Sequence, residues 1–287
     1  MEEERVREPL LRPGRPVMRG LVRIVYPAGI HFGIQQLVIV IAYFFSERVF
    51  PAGEKLLMDP LFLTTAAAVL TAFPAVWLYG MDRNKRRSTG VVPAGDSEIL
   101  NPAEVVLLLC GGAALSLFGN MTVSIVEQLF FPGGFRDVTG EVMAGRNVLL
   151  LILMAGILAP AAEEMIFRWL IYLRMRDLRL PYLPAALLSG IMFGLYHGNA
   201  GQAVYASILG FFFAWVLEMS GSVFSCILLH SGANIWSIIL LQASESMGEG
   251  FAYQRFVAMS MQVLFIILAM MLFWAGRKGK IRGFRAV

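Results

Sequence analysis

The chain has 287 residues, of which 57% are hydrophobic and only 15% are charged. Soluble domains carry about 25% charged residues, so this composition excludes an ordinary soluble protein and indicates a membrane protein. The net charge of +4 is small, and its distribution along the chain matters more than its sum.

Eight apolar segments follow one another along the sequence, most of them close to the roughly 20 residues that cross a bilayer. They predict an all-α, polytopic membrane protein with about eight transmembrane helices. We expect one helical domain over residues 25–276, between a cytoplasmic N-terminal tail at 1–24 and a basic cytoplasmic tail at 277–287. The segments are 25–45, 61–81, 105–126, 148–173, 183–199, 203–219, 221–241 and 254–275.

The basic residues indicate how these helices lie in the membrane. If the N-terminus is cytoplasmic, the cytoplasmic segments hold 18 of the 24 Lys and Arg residues, and the outer loops hold five. This asymmetry is the positive-inside pattern, and it predicts cytoplasmic termini at both ends. The positive charge therefore reflects orientation in the lipid bilayer, and no nucleic-acid partner is expected.

The fourth segment contains the stretch APAAEEMIFR, residues 159–168, with two adjacent carboxylates. An ionisable residue inside a span costs roughly 2.5–3.5 kcal/mol on insertion scales, which makes it a functional-site hypothesis. Glu164 and Arg168 are four residues apart and share a helix face, so we expect them to neutralise each other. Glu163 points about 100° away and has no basic partner nearby on its helix. It is the expected reactive carboxylate, and Pro160 is expected to bend the helix beside it.

Two other segments contribute polar side chains at the same helical spacing. In MFGLYHGN of the fifth segment, Phe193 and His197 share a face, so the phenyl ring can pack beside the imidazole. In LLHSGANIW of the seventh, His230 and Asn234 project in one direction as two hydrogen-bond donors. His31, in the first segment, has no polar partner at helical spacing, and we interpret it as a packing residue.

These residue types suit the hydrolysis of a peptide bond. Glu163 can take a proton from water with the help of His197, and His230 with Asn234 can hold the oxyanion that forms. The H-E-x-x-H string of zinc proteases is absent, and no aspartate lies well inside a predicted span to form an aspartyl dyad. Two alternatives stay open: a Cys226–His230 pair, and a divalent metal held by Glu163, His197 and His230.

The three strings Glu163-Glu164-x-x-x-Arg168, Phe193-x-x-x-His197 and His230-x-x-x-Asn234, in this order on three helices, resemble the motifs of the CPBP family. That family comprises CaaX prenyl proteases of the second type and bacteriocin-processing or immunity relatives. The resemblance implies a CaaX-protease-like helical bundle over the chain. It also implies that Glu163 activates water with His197, that His230 and Asn234 stabilise the oxyanion, and that Glu164, Arg168 and Phe193 support them.

The sequence therefore predicts an intramembrane endopeptidase of the glutamate type, which needs no cofactor. Its expected substrate is a membrane-associated protein or peptide, with lipidated proteins among the candidates, cut near its C-terminus. One alternative is a non-proteolytic membrane binding or immunity protein that keeps the motifs for stability. The others are a metal-dependent version of the same protease and a transporter or channel that uses the same groups as a proton relay.

Overall fold

The computed structural model describes residues 17–49, 54–88, 100–131, 133–136, 138–248 and 250–281. This part of the chain is helical and contains no strand, which confirms the predicted all-α polytopic fold. Its helices, in chain order, are α1 (Val17–Arg48), α2 (Glu54–Leu57), α3 (Pro60–Ser88), α4 (Pro102–Phe130), α5 (Val138–Met143), α6 (Val148–Asp177), α7 (Tyr182–Tyr196), α8 (Ala200–Ser220), α9 (Val223–Met247) and α10 (Phe251–Ile281).

The eight predicted segments correspond to α1, α3, α4 and α6–α10. Seven of these helices are long and apolar enough to cross a membrane, and α7 is shorter at 15 residues. The predicted boundaries differ from the observed ones at both termini, since α1 begins inside the expected N-terminal tail and α10 continues to Ile281. Residues 1–16 and 282–287 of the predicted tails, and 89–99 of the polar linker, lie outside the described residues.

The distribution of side chains is that of a protein surrounded by lipid. Large apolar residues such as Phe73 and Leu149 are more than 70% exposed, whereas Glu164 and Arg168 are fully buried. In a soluble protein, charged side chains are mostly exposed and large apolar side chains are mostly buried. In a bilayer, the outer surface can be apolar, and the polar groups must find their partners inside the bundle.

Helices α4 and α9 approach each other closely at two glycines. A Cβ atom on Gly112 would meet the backbone carbonyl oxygen of Leu229, and one on Gly232 would meet the carbonyl oxygen of Leu109. Small residues at such crossings let two membrane helices pack backbone to backbone. This contact fixes the position of α9, which carries His230 and Asn234.

Helix α6 is an α-helix interrupted by two π-helical segments, Ile152–Leu158 and Met165–Tyr172. Between them, Ala159–Glu164 is α-helical and carries Pro160 in its first turn. Proline has no N–H to donate to the preceding turn, and π-turns in a helix occur mostly where function requires them. The two glutamates therefore lie on a short α-helical stretch between two wider turns, which the sequence did not predict.

A network of ion pairs joins α1, α3 and α6 at one end of the bundle, which we call the basic end. Asp82 accepts from Arg23 at 2.8 Å and from Arg174 at 2.6 Å, and Asp177 accepts from Arg86 at 2.8 Å. Asp82 and Asp177 lie just past the predicted segments 61–81 and 148–173, which are shorter than the helices. They lie within helices and are almost completely covered, because α3 and α6 both extend past the predicted spans.

The crossing of α4 and α9 gives a prediction about stability. Gly232→Ala should destabilise the protein by about 1–3 kcal/mol, because the added methyl group overpacks against the backbone of α4. Thermal unfolding in detergent measures the effect. Gly29→Ala is the matched control, since nothing lies within 4 Å of the Cβ position there. Equal midpoints for both variants would contradict the proposed close approach.

Candidate active site

A cavity of about 840 Å³ lies within the bundle, and the predicted site residues meet in its wall. Glu163 comes from α6, His197 from the turn after α7, and His230 and Asn234 from α9. Phe193 also lines the cavity, whereas Glu164 and Arg168 lie behind it. Three segments that are distant in sequence thus bring four polar side chains to one place.

The predicted pairing of Glu164 with Arg168 is confirmed, and the structure adds a third member. Arg168 Nε lies 2.9 Å from Glu164 Oε2, with both side chains fully buried. The other carboxylate oxygen, Oε1, lies 2.9 Å from His230 Nδ1. Glu164 is therefore shared between a guanidinium on its own helix and an imidazole on α9. It links two of the three motifs directly.

The Arg168 guanidinium is enclosed by groups from α7 and α8. Its carbon lies 4.8 Å from the centre of the Phe193 ring and 5.3 Å from that of Phe213. Its Nη2 atom donates to the carbonyl oxygen of Gly210 at 3.3 Å. Aromatic faces and a carbonyl dipole both favour a cation, so this cage stabilises the positive charge that Glu164 requires. Phe193 thus contacts Arg168 directly.

The Phe213 ring also stacks on His230, with their centroids 4.8 Å apart and their planes within 26°. The Phe193 ring meets the same imidazole edge-on at 5.5 Å. His230 is thus held by two aromatic rings and by Glu164. Its second ring nitrogen, Nε2, lies 3.8 Å from Glu163 Oε2, which is beyond hydrogen-bond distance.

Glu163 differs from its neighbour in its surroundings. Its side chain remains 19% exposed and faces the cavity, whereas that of Glu164 has no exposure. The two carboxylates therefore have separate environments, one paired and enclosed, the other open to the cavity. This is the separation that the helical geometry predicted for adjacent residues.

His197 lies at a helix end, and the expectation that it sits inside a span ending at residue 199 is wrong. Helix α7 ends at Tyr196, Gly198 takes the left-handed conformation with φ of +72°, and Asn199 caps α8. His197 Nδ1 lies 2.9 Å from the Phe193 carbonyl oxygen. Because a carbonyl only accepts, Nδ1 must carry the proton, and Nε2 of the neutral ring is left with its lone pair.

Asn234 owes its position to the π-helical segment before Pro160. The Ala159 N–H donates to the Met154 carbonyl oxygen, five residues back, and Pro160 has no N–H at all. The Ala155 carbonyl oxygen therefore receives neither of its possible helical donors. Asn234 Nδ2 supplies the missing bond at 2.8 Å. The amide keeps a second N–H for another acceptor.

The cavity also contains residues that the sequence did not single out. Gln35, Tyr196, Gln202 and Tyr205 line it, and so does His31, which was interpreted only as a packing residue. His31 Nδ1 lies 2.7 Å from Thr71 Oγ1, on a different helix, so spacing along α1 could not reveal this partner. Which residues line a cavity depends on how the helices pack together, and the periodicity of one helix does not reveal this.

The alternative nucleophiles do not reach the cavity. The Cys226 thiol is fully buried and lies 3.1 Å from the Phe213 carbonyl oxygen, and neither Cys226 nor Ser231 belongs to the cavity lining. The described residues include no group of three or more His, Cys, Asp or Glu side chains that could hold a metal ion. In this arrangement, Glu163, His197 and His230 do not form a metal-binding group.

Comparison with known proteins agrees with the motifs. A family model described as type II CAAX prenyl endopeptidase, Rce1-like, matches residues 145–236, which include all three motifs. The protein named "Putative membrane peptidase YdiL" of Bacillus subtilis (strain 168) is 23% identical over 137 residues, which cover 47% of this chain and 56% of that protein. No solved structure matches the chain. The predicted resemblance to the CPBP family is confirmed.

The buried ion pair gives a prediction. Arg168→Leu should cost about 3–5 kcal/mol of stability, because it leaves the Glu164 carboxylate buried without its cation. The control is Arg136→Leu, which breaks an exposed pair with Glu141 and should change stability far less, because water screens an exposed pair. Chemical unfolding in detergent compares the two. Similar costs would mean that Glu164 does not depend on Arg168.

The contact between α9 and α6 gives a second prediction. Asn234→Ala should cost about 1–3 kcal/mol, because the Ala155 carbonyl oxygen loses its donor. Asn120→Ala is the control, since Asn120 lines the same cavity but is exposed. The measurement is thermal unfolding of both variants, and an unchanged midpoint for Asn234→Ala would show that this bond does not hold the helices together.

Proposed function

We propose that the protein is an intramembrane endopeptidase of the glutamate type, which hydrolyses a peptide bond near the C-terminus of a membrane-associated protein or peptide. The observation that carries the proposal is the meeting of Glu163, His197, His230 and Asn234 in the wall of one cavity. Metal-free hydrolysis requires a general base, a hydrogen-bond acceptor that orients the water, and hydrogen-bond donors for the oxyanion. The four side chains can supply these groups.

Glu163 and His197 form the water-activating half of the proposed site. Glu163 is open to the cavity, so its carboxylate can accept a proton from a water molecule there. His197 Nε2 has a lone pair, because Nδ1 is committed to the Phe193 carbonyl oxygen. It can accept the second O–H of the same water and orient it. Glu163 is then the general base, and His197 the positioning group.

His230 and Asn234 form the half that receives negative charge. Asn234 has one N–H available beyond its bond to Ala155. His230 Nδ1 is directed at Glu164, so Nε2 can donate only if the ring carries both protons. The carboxylates of Glu163 and Glu164 lie on the two sides of this ring, near Nε2 and Nδ1 respectively. Glu164 is therefore proposed to act through His230, as a positioning residue.

The reaction balances with water as the only co-reactant. Glu163 takes a proton from water as the oxygen attacks the peptide carbonyl carbon, and the carbonyl oxygen becomes the oxyanion beside His230 and Asn234. When the C–N bond breaks, the proton on Glu163 passes to the leaving amine. The first products are a carboxylic acid and an amine, and the acid proton then passes to the amine to give a carboxylate and an ammonium group. Glu163 returns to its starting state.

The comparisons support this class of activity and leave the substrate open. The family description names a prenyl endopeptidase, and the relative's name describes a membrane peptidase. The match covers about half of that relative, so its activity is carried over here as part of the proposal. Lipidated proteins are one candidate class of substrate, and unmodified membrane peptides are another.

The direct test replaces the proposed base. Glu163→Gln keeps the size of the side chain and removes the proton acceptor, and it should lower the cleavage rate by about 10²-fold or more. Mass-spectrometric mapping of protein C-termini in membranes of the native host, compared with the unmodified protein, measures the change. Uncut C-termini that appear in the variant establish proteolysis and identify the substrate in one experiment.

Glu141→Gln is the matched control, because Glu141 is an exposed carboxylate on α5 and is not part of the cavity lining. Its C-termini should match those of the unmodified protein. If the Glu163→Gln profile also matches, although both variants are expressed and folded, the protease proposal fails. A phenotype that survives in that variant would then favour the non-proteolytic binding or immunity role.

A further inference from the structure

The two ends of the helical bundle differ in a way that bears on the substrate. The cavity opens among residues at one end, which we call the cavity end. Helices α3 and α8 begin at this end, and helices α4 and α9 end there. The segment around α5 also lies at this end. Lining residues at this end are Pro60, Leu61, Glu127, Thr139, Gln202 and Ser244.

The basic end lies at the opposite ends of the same helices. Helix α3 runs from Pro60 at the cavity to Asp82 and Arg86 in the ion-pair network. Helix α6 runs from Val148 to Arg174 and Asp177 in the same network. Since α3 and α6 each cross the bundle once, the cavity and this network must lie on opposite sides of the membrane.

The charge distribution indicates which side is which. Among the described residues, the segments at the basic end carry 12 Lys and Arg residues, whereas those at the cavity end carry five. The positive-inside rule places the richer side in the cytoplasm. The cavity end is then the extracytoplasmic end.

The segment around α5, which lines the cavity end, is fixed in place by contacts from several helices. The Gln202 side-chain amide donates to the Thr139 hydroxyl, and the Gly145 N–H donates to Glu245 Oε1 at 3.1 Å. Arg146 Nη1 lies 2.6 Å from Asp59 Oδ2. Burial alone would raise the pKa of Asp59, but the Arg146 hydrogen bond and charge hold that pKa below its usual value, so the pair stays ionised at neutral pH.

The lining of the cavity end suits a peptide. It combines apolar side chains with neutral amides and hydroxyls, and it contains only Glu127 and Arg136 as charged groups besides Glu163. Amides and hydroxyls can pair with a peptide backbone, and the apolar surface can accept side chains. Its volume of about 840 Å³ is within the range of pockets that enclose whole small ligands, so a short segment fits.

We propose that the cavity admits its substrate from the extracytoplasmic side. The substrate is then a neutral or apolar extracytoplasmic segment of a membrane-associated peptide or protein, and not a segment that lies in the cytoplasm. This inference rests on the proposed endopeptidase function, because the molecule that enters the cavity is a substrate only if the protein cleaves it. The side from which the cavity is reached, however, is a property of the fold and can be measured without any cleavage.

The experiment uses single cysteines and a small, charged, membrane-impermeant thiol reagent. Ala159→Cys places the probe in the cavity wall on the same α-helical stretch as Glu163, and Ser244→Cys places it at the cavity end. Ser88→Cys is the matched control at the basic end of α3. The unmodified protein, with Cys110 partly and Cys226 fully buried, supplies the background. Each protein is labelled in right-side-out and in inside-out membrane vesicles.

We expect Ala159→Cys and Ser244→Cys to be labelled in right-side-out vesicles and protected in inside-out ones, with the reverse for Ser88→Cys. Labelling of Ala159→Cys from the same side as Ser88→Cys, or from neither side, overturns the proposal, and so does labelling of Ser88→Cys from the outside. These outcomes are independent of the Glu163→Gln result. A protein that is reached from outside but does not cleave contradicts only the proposed function.

Discussion

The arrangement of the site depends on the Glu164 carboxylate, which is shared between Arg168 and His230. A carboxylate without exposure is stable only when charge and hydrogen bonds surround it, and here one partner comes from its own helix and the other from α9. That requirement fixes the distance between α6 and α9 and the orientation of the imidazole. The position of Glu163 beside His230 Nε2 follows from the same contact, because Glu163 directly precedes Glu164 in the chain.

The geometry also explains why two adjacent glutamates occur in a membrane helix. The inner one is neutralised by a buried cation, while the outer one faces the cavity, where water and a peptide can reach it. A single glutamate could not hold α9 through His230 and also remain open to the cavity. The helix therefore divides structure and proposed chemistry between two neighbouring positions about 100° apart.

Much of this arrangement could be predicted from the sequence, because local spacing along a helix is regular. The interval of four between Glu164 and Arg168 was enough to predict their pairing, and eight apolar segments were enough to predict the helical fold. The partners of His31 could not be predicted, since Thr71 and Tyr196 come from other helices. The end of α7 before His197 was also missed, because the spacing of four from Phe193 to His197 suits a continuing helix and does not reveal the turn at Gly198.

The enclosure of Arg168 has a consequence for the order in which the protein is assembled during synthesis. Helix α6 is synthesised before Phe193, Gly210 and Phe213, the groups that surround the guanidinium in the folded protein. Insertion of an isolated helix would expose its charged residues to lipid at roughly 2.5–3.5 kcal/mol each for residues such as arginine. Within α6 alone, Arg168 has only Glu164 as a partner, and its full enclosure requires α7 and α8. The site is completed by the helices made after it.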